Sequence, residues 1–246
     1  MDNDAVNFRQ FLESGPDTEL RTAEIVEGVI QSRCSIRAFV DRPVSRDEIA
    51  AILNAARFAP SGTNTQPWKV YVVTGASKND LCWRVLKAFN SPAVHSEEYA
   101  YYPGKWRSPY IDRRRRVGYA LYSLLGIDKR DTVRRRAQES RNFLFFDAPV
   151  GLIFTIDRDL GHGSWLDYGM FLQNIMLSAR ARGLDTCPQA AFNRYHRVIA
   201  DTLGLPDEEM VLCAMAVGYR DPEAAENRLL TERCGVEEFS TFLGFE

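Results

Sequence analysis

Apolar positions recur along this chain with periods that switch between helical and extended. Ile25, Val26, Val29 and Ile30 fall on one face of a helix predicted over residues 19–32. Ser45-Arg-Asp-Glu48 has the form of a capping box, with Ser45 as N-cap and Glu48 reaching back to it. Behind it Ile49, Ile52, Leu53 and Ala56 form an apolar stripe, and Pro60 stops the helix. Residues 68–73 are aromatic and β-branched and read as a short strand.

Residues 77–147 are the least regular third. Within them, 87–109 carry Tyr99, Tyr101, Tyr102 and Trp106 among Pro and Gly, the composition of an ordered excursion or lid. Helical pieces follow over 110–125 and 131–143. A nearly continuous apolar run at 149–156 predicts a buried strand. Ser164-Trp-Leu-Asp167 is a second capping-box candidate, opening a helix to about Arg182 that Gly183 closes. That helix is apolar nearly all round, with Trp165, Phe171, Leu172, Ile175, Met176 and Leu177, so it belongs in a core or a subunit interface. Residues 210–217 read as another buried strand. The polar tail ends in Phe239, Phe242, Leu243 and Phe245, a set that calls for a neighbouring subunit to cover it.

Composition narrows the function classes. The 246 residues are 45% hydrophobic and 26% charged with a formal net charge of −2, so no global field favours nucleic acid or anionic membrane. No apolar run reaches the roughly 18 residues that span a bilayer. The acidic Met1-Asp-Asn-Asp start lacks the order of a signal peptide, and a cytoplasmic location is the expectation. Five scattered cysteines without a Cys-x-x-Cys pair, and three dispersed histidines, point away from a disulfide framework and from a metal site. There is no Gly-x-Gly-x-x-Gly and no Gly-x-x-x-x-Gly-Lys, which disfavours a Rossmann domain and a P-loop. A nicotinamide reductant would have to bind without a domain of its own.

Two segments carry the candidate chemistry. Arg33-Cys-Ser-Ile-Arg37 sets two guanidiniums four apart around a hydroxyl, a set that grips phosphate and equally suits a helix C-terminus. Ala59-Pro-Ser-Gly-Thr-Asn-Thr-Gln-Pro-Trp68 is long for a helix-to-strand turn. It supplies polar side chains at Ser61, Thr63, Asn64 and Gln66 beside a glycine that admits close backbone approach, a mixture suited to a flat heteroaromatic ring.

Together with Gly183-Leu-Asp-Thr-Cys-Pro-Gln-Ala190 and Asn227-Arg228, in that order, these segments resemble the nitroreductase family of flavin mononucleotide (FMN) enzymes. The resemblance covers about residues 23–233, and the stretch 101–190 is similar to bacterial nitroreductases acting on nitrobenzoates. It implies one α+β nitroreductase-like domain over 1–246, a central, mostly antiparallel sheet flanked by helices, and an intertwined homodimer. It also implies that Arg33, Ser35 and Arg37 hold the flavin, Arg33 near the phosphate and Arg37 at the pyrimidine edge. Pro60, Ser61 and Gly62 would pack on it from the other subunit, with Asn64 bracing their loop. Pro188, Gln189 and Ala190 would pass the ring, a backbone N–H facing N5, and Arg228 would pair with the phosphate. NADH or NADPH would reduce the flavin and leave before a nitroaromatic takes the electrons, nitro passing through nitroso to hydroxylamine. Thr63, Tyr102 and Trp106 are the expected substrate contacts. The hard chemistry then belongs to the cofactor, and Cys187 is packing rather than a nucleophile.

Two alternatives stay open. The spacing of Glu98 and Tyr102 fits a flavin-dependent reductive dehalogenase of halophenols, although no position is assigned to the lysine of that lid. The arginine runs 113–116 and 134–136 fit a non-catalytic flavin or nucleic-acid binder, against a solvated helix face with acidic neighbours.

Overall fold

Four strands frame the molecule. The computed structural model describes residues 16–245. In it the strands lie in the order β1 (Lys69–Thr74), β2 (Val150–Asp157), β4 (Glu209–Gly218), β3 (Asp185–Gln189), each neighbouring pair antiparallel. The expected α+β class and antiparallel sheet are present. β2 and β4 are covered on both faces, which is why each reads as an unbroken apolar run. Along β2 the pleat sends Val150, Leu152, Phe154 and Ile156 to one core and Ile153 to the other. The alternation slips in β4: Phe154 faces Cys213 but Thr155 faces Val211. Leu212 is the extra residue of a β-bulge, and it joins Cys213 in the same core.

The described residues form seven α-helices: α1 (Pro16–Ser32), α2 (Arg46–Ala56), α3 (Gly75–Asn90), α4 (Tyr110–Leu124), α5 (Thr132–Ser140), α6 (His162–Ala181) and α7 (His196–Leu203). The α2 capping box forms as expected: Ser45 Oγ accepts from the Glu48 N–H at 3.1 Å, and Glu48 Oε2 accepts from the Ser45 N–H at 2.7 Å. α2 and α6 cover one sheet face through Ile49, Ile52, Ala56, Tyr168, Phe171 and Ile175. α3, α7 and the 3₁₀ turn Arg141–Asp147 cover the other through Leu81, Val85, Ile199, Phe143, Phe145 and Phe146. Burying each such large side chain contributes about 1.5–3 kcal/mol.

The structure departs from the expected α6 cap and from the expected end of the 131–143 helix, and it shows where the α1 stripe lies. Ser164 does not cap α6, which starts at His162 after Gly161 with no side-chain cap. Asp167 lies a turn inside that helix, and its carboxylate accepts from the Gly62 N–H at 3.1 Å instead. The apolar stripe of α1 is not buried within the chain, since Ile25 and Val26 are 62% and 49% exposed. The helix predicted over 131–143 ends at Ser140, and Phe145, Phe146 and Asp147 then adopt left-handed backbone that turns the chain into β2. α3, α7 and β3 have no counterpart in the sequence pattern. α3 begins Gly-Ala-Ser-Lys-Asn-Asp, which reads as a turn, and β3 carries Pro188, tolerated because β3 is a sheet edge.

A glycine is required where β2 meets the second core. A Cβ on Gly151 would lie 2.5 Å from Phe145 Cζ, and that ring is fully buried and stacked on Phe192 at 4.8 Å. Gly151→Ala is therefore expected to destabilise the fold by about 2 kcal/mol, a fall in Tm of roughly 4–8 °C for a chain of this size. Differential scanning calorimetry reads it; an unchanged Tm would mean that the Phe145 ring yields without cost.

Candidate active site

Beyond Ser32 the chain runs extended. Ile36 and Ala38 are buried while Arg33, Ser35 and Arg37 are half-buried, so a period of two places these three side chains on one face. The segment is fastened to the sheet edge. The Ile36 N–H donates to the Thr186 carbonyl at 3.0 Å, and Ser35 forms a parallel bridge to Thr186. Arg37 Nη1 also donates to the Ser35 carbonyl at 3.2 Å.

A cleft of about 410 Å³ opens beside this face, with Arg37 on one wall and Pro188, Gln189 and Ala190 on another. Gln189 is 3% exposed; its Nε2 donates to the Asn142 carbonyl at 2.7 Å, which fixes the amide orientation. Its Oε1 is buried without a donor among the described residues, and a ligand N–H such as the N3–H of a flavin pyrimidine would satisfy it. Three cations, Arg37, Arg114 and Arg194, line the cleft against Glu97 and Glu139.

The aromatic excursion closes the cleft. α3 continues through Asn90, so the irregular part begins at Ser91. Tyr101 and Tyr102 line the cavity, and Trp106 stands behind Tyr102 with ring centroids 5.4 Å apart. The Arg114 guanidinium sits over both Trp106 and Tyr102, at 4.9 and 5.5 Å. The excursion is anchored at its base. Tyr99 packs edge-on against Trp165, and its hydroxyl donates to the Leu212 carbonyl at the β4 bulge. Glu98 pairs with Arg158 and lies 3.2 Å from His196 Nδ1, so it serves that anchor and does not line the cleft. Burial pushes the His196 imidazole below its ordinary value, and Glu98 opposes the shift. This weakens the dehalogenase alternative, which needs Glu98 at the substrate.

The loop before β1 is elsewhere. Gly62–Asn64 forms a 3₁₀ turn in which Thr63 and Asn64, with Gln66 just beyond, hold positive φ of 50°, 61° and 50°. Such backbone costs of order 1–3 kcal/mol per residue and needs an over-determined setting. Here the Gly62 N–H bond to Asp167, the Gln66 N–H bond to Ser61 Oγ and the stacking of Trp68 on Phe171 at 4.7 Å supply it. Pro60, Ser61, Gly62 and Thr63 do not line the Arg37 cleft of their own chain.

Arg228 closes the 3₁₀ turn Ala225–Arg228, donating to the Glu223 carbonyl at 3.4 Å, and is exposed. The residue before it makes the closer connection: Asn227 Oδ1 accepts from the Arg37 N–H at 2.8 Å. Sequence reasoning assigned no side-chain role to Asn227 and gave Asp167 only that of a helix cap; the contacts they make have no local signal, because their partners lie far away in sequence. The arginine runs divide. Arg113 and Arg116 pair with Glu238 and Glu232, while Arg134 and Arg136 donate to the Gly126 and Phe89 carbonyls. Arg135 lies over the Tyr122 ring, and Arg114 lines the cleft.

Cys187 lies on this wall and is 3% exposed. Burial pushes its thiol up to about 11, against the opposing pull of Arg37 and Arg33. The thiolate therefore stays a minor species until the pH nears that value. Iodoacetamide at pH 8 is expected to label the half-buried Cys34 and Cys234 and to spare Cys82, Cys187 and Cys213. Peptide mass spectrometry reads this, and rapid labelling of Cys187 in the folded protein would restore it as a nucleophile candidate.

Known proteins resemble this chain in sequence and fold. Residues 30–219 match the model of the Nitroreductase family. A nitrobenzene nitroreductase from Ectopseudomonas oleovorans is 41% identical over 90% of this chain and 98% of its own length. A 4-nitrobenzoate reductase from Pseudomonas putida is 44% identical over 89% and 96%. Among solved structures, the FMN- and NADPH-dependent nitroreductase NfnB from a Sphigopyxis strain superposes with a TM-score of 0.86 at 37% identity, covering 89% of this chain and 99% of that one. NfnB from Mycobacterium smegmatis, solved with NADPH, also gives 0.86, at 29% identity over 90% and 99%. With the sheet, the Arg33–Arg37 face and the Pro188–Ala190 wall in place, the chain belongs to the nitroreductase family.

Proposed function

We propose that this protein is an FMN-dependent oxidoreductase that uses NADH or NADPH to reduce nitroaromatic compounds, acting in the cytoplasm as a homodimer. The observation that carries the reading is Arg33, Ser35 and Arg37 on one extended face, beside a cleft whose wall is Pro188, Gln189 and Ala190. Bound FMN would take a hydride from the nicotinamide and deliver it to the nitro group. The chain positions and polarises. Arg37, fixed at the rim, offers a cation where negative charge develops on the pyrimidine end. Gln189 Oε1 offers an acceptor to the ring edge, and Arg33 and Arg228 supply charge for the phosphate. Tyr102, backed by Trp106 and Arg114, makes a flat wall for an aromatic substrate and excludes water. The nicotinamide and the nitroarene would use this wall in turn.

Homodimerisation completes the site. The loop with Pro60, Ser61, Gly62 and Thr63 lies away from its own chain's cleft, as a loop that serves the other subunit would. The exposed Leu20, Ile25, Val26 and Ile30 of α1 and the tail Phe239, Phe242, Leu243 and Phe245 are the apolar surfaces that a second copy would cover.

The purified protein is expected to be yellow, to bleach with NADH or NADPH, and to recolour with 4-nitrobenzoate but not with a halophenol. Arg37→Gln should lower kcat/KM by about 10²-fold, the scale of one lost charge-stabilising contact. A colourless protein that acquires no flavin colour with added FMN would end this reading. Ile25→Glu combined with Ile30→Glu is expected to elute as a monomer and to lose FMN together with activity. A monomer with full flavin content would show that each chain builds its site alone.

A further inference from the structure

Asn227 joins two segments of the proposed cradle through the backbone alone. Its Oδ1 accepts from the Arg37 N–H at 2.8 Å, and its Nδ2 donates to the carbonyls of Ala38 at 2.8 Å and Asp221 at 2.9 Å. A carboxamide offers one acceptor and two donors together, the set these three groups demand. A carboxylate of the same size would keep the Arg37 bond but set its second oxygen, an acceptor, against both carbonyls. The Ala38 carbonyl also accepts from the Asp221 N–H at 3.0 Å, so backbone on both sides of the Arg37–Ala38 peptide is pinned. The turn that carries Asn227 is itself held by Glu226, 6% exposed and paired with Arg141. Arg37 thus leaves a backbone fixed at its own N–H and at the next carbonyl, and Arg228 follows in the turn that fixes it.

We infer that Asn227 is a positioning residue: it sets where the Arg37 guanidinium stands against the flavin, and through it the midpoint potential of bound FMN, without touching the cofactor. The inference rests on the flavin-site reading above. A loosened Arg37 would lose more contact with the anionic reduced cofactor than with the neutral oxidised ring. A purely structural role would instead weaken both redox states alike and leave the potential unmoved.

The test combines fluorescence titration of the apoprotein with FMN and a redox titration of the holoprotein, for wild type, Asn227→Ala, Arg37→Gln and the double variant. Asn227→Ala is expected to raise the Kd for oxidised FMN about tenfold. It should raise that for reduced FMN about tenfold more, which places the midpoint potential about 30 mV lower for a two-electron couple. The double variant should match Arg37→Gln in potential, because Asn227 acts through that side chain. Asn227→Ser, smaller but still carrying a hydroxyl, takes the same measurements if the alanine variant does not fold. An unmoved potential in a folded variant, or a shift that adds to that of Arg37→Gln, overturns the inference while leaving the flavin reading intact. Wild-type protein that takes up no FMN removes the flavin reading, and the inference with it.

Discussion

A buried carboxylate on a sheet edge determines how this chain closes around its cleft. Asp185, 4% exposed at the start of β3, receives two 2.7 Å hydrogen bonds from Arg220 and a longer contact from Arg180 at 3.4 Å. Arg180 in turn donates through Nε to Ser32 Oγ. Leaving such a charge unpaired would cost about 3–5 kcal/mol, so the pairing is enforced. It draws the end of α6, the segment after β4 and the last residue of α1 to one corner of the sheet. The chain that leaves Ser32 must then pass along β3, and this passage pairs Ser35 with Thr186 and brings Arg37 to the cleft that Pro188 and Gln189 also line.

Away from that corner, irregular structure is held by directed contacts from regular elements. Asp167 of α6 reaches the loop amide of Gly62, and Tyr99 of the aromatic excursion reaches the carbonyl of bulged Leu212. Asn193, 1% exposed, adds a second tie, with its amide facing the Glu98 N–H and the Tyr99 carbonyl at 3.3 Å each. Each anchor sits on a helix or strand whose own position is set by the two cores. The loops can therefore carry strained backbone and aromatic surface without unravelling.

This arrangement agrees with chemistry that a cofactor performs. The cleft offers cations and flat aromatic walls beside Gln189, whose buried amide oxygen has no donor among the described residues, while its one cysteine is held protonated by burial. Its electrostatics are set by where Arg37, Arg114 and Arg194 stand relative to Glu97 and Glu139. Small displacements of such groups change transition-state stabilisation, because fixed charges act strongly where water is excluded. Residues that fix backbone, Asn227 above all, thereby bear on function from outside the cavity.

Local patterns in the sequence determined the elements whose signals are short-ranged. The Ser45–Glu48 box, the unbroken runs of β2 and β4 and the periodic face of α6 all express forces acting within a few residues, and each formed close to its expected bounds. The order of four motifs was also enough to bring out the family. Tertiary structure alone decided the rest. β3 is a strand because β4 and the Ser35–Ile36 segment pair with it, despite Pro188; Asp167 serves a loop 105 residues away instead of capping its own helix. The stripe on α1, legible as helical, stays exposed because periodicity fixes which residues share a face and not what covers it. Asn227 was legible only as a motif neighbour of Arg228, since its partners at Arg37 and Ala38 are some 190 residues distant. Hydrogen bonds between side chain and remote backbone leave no periodic trace, and folding alone reveals them.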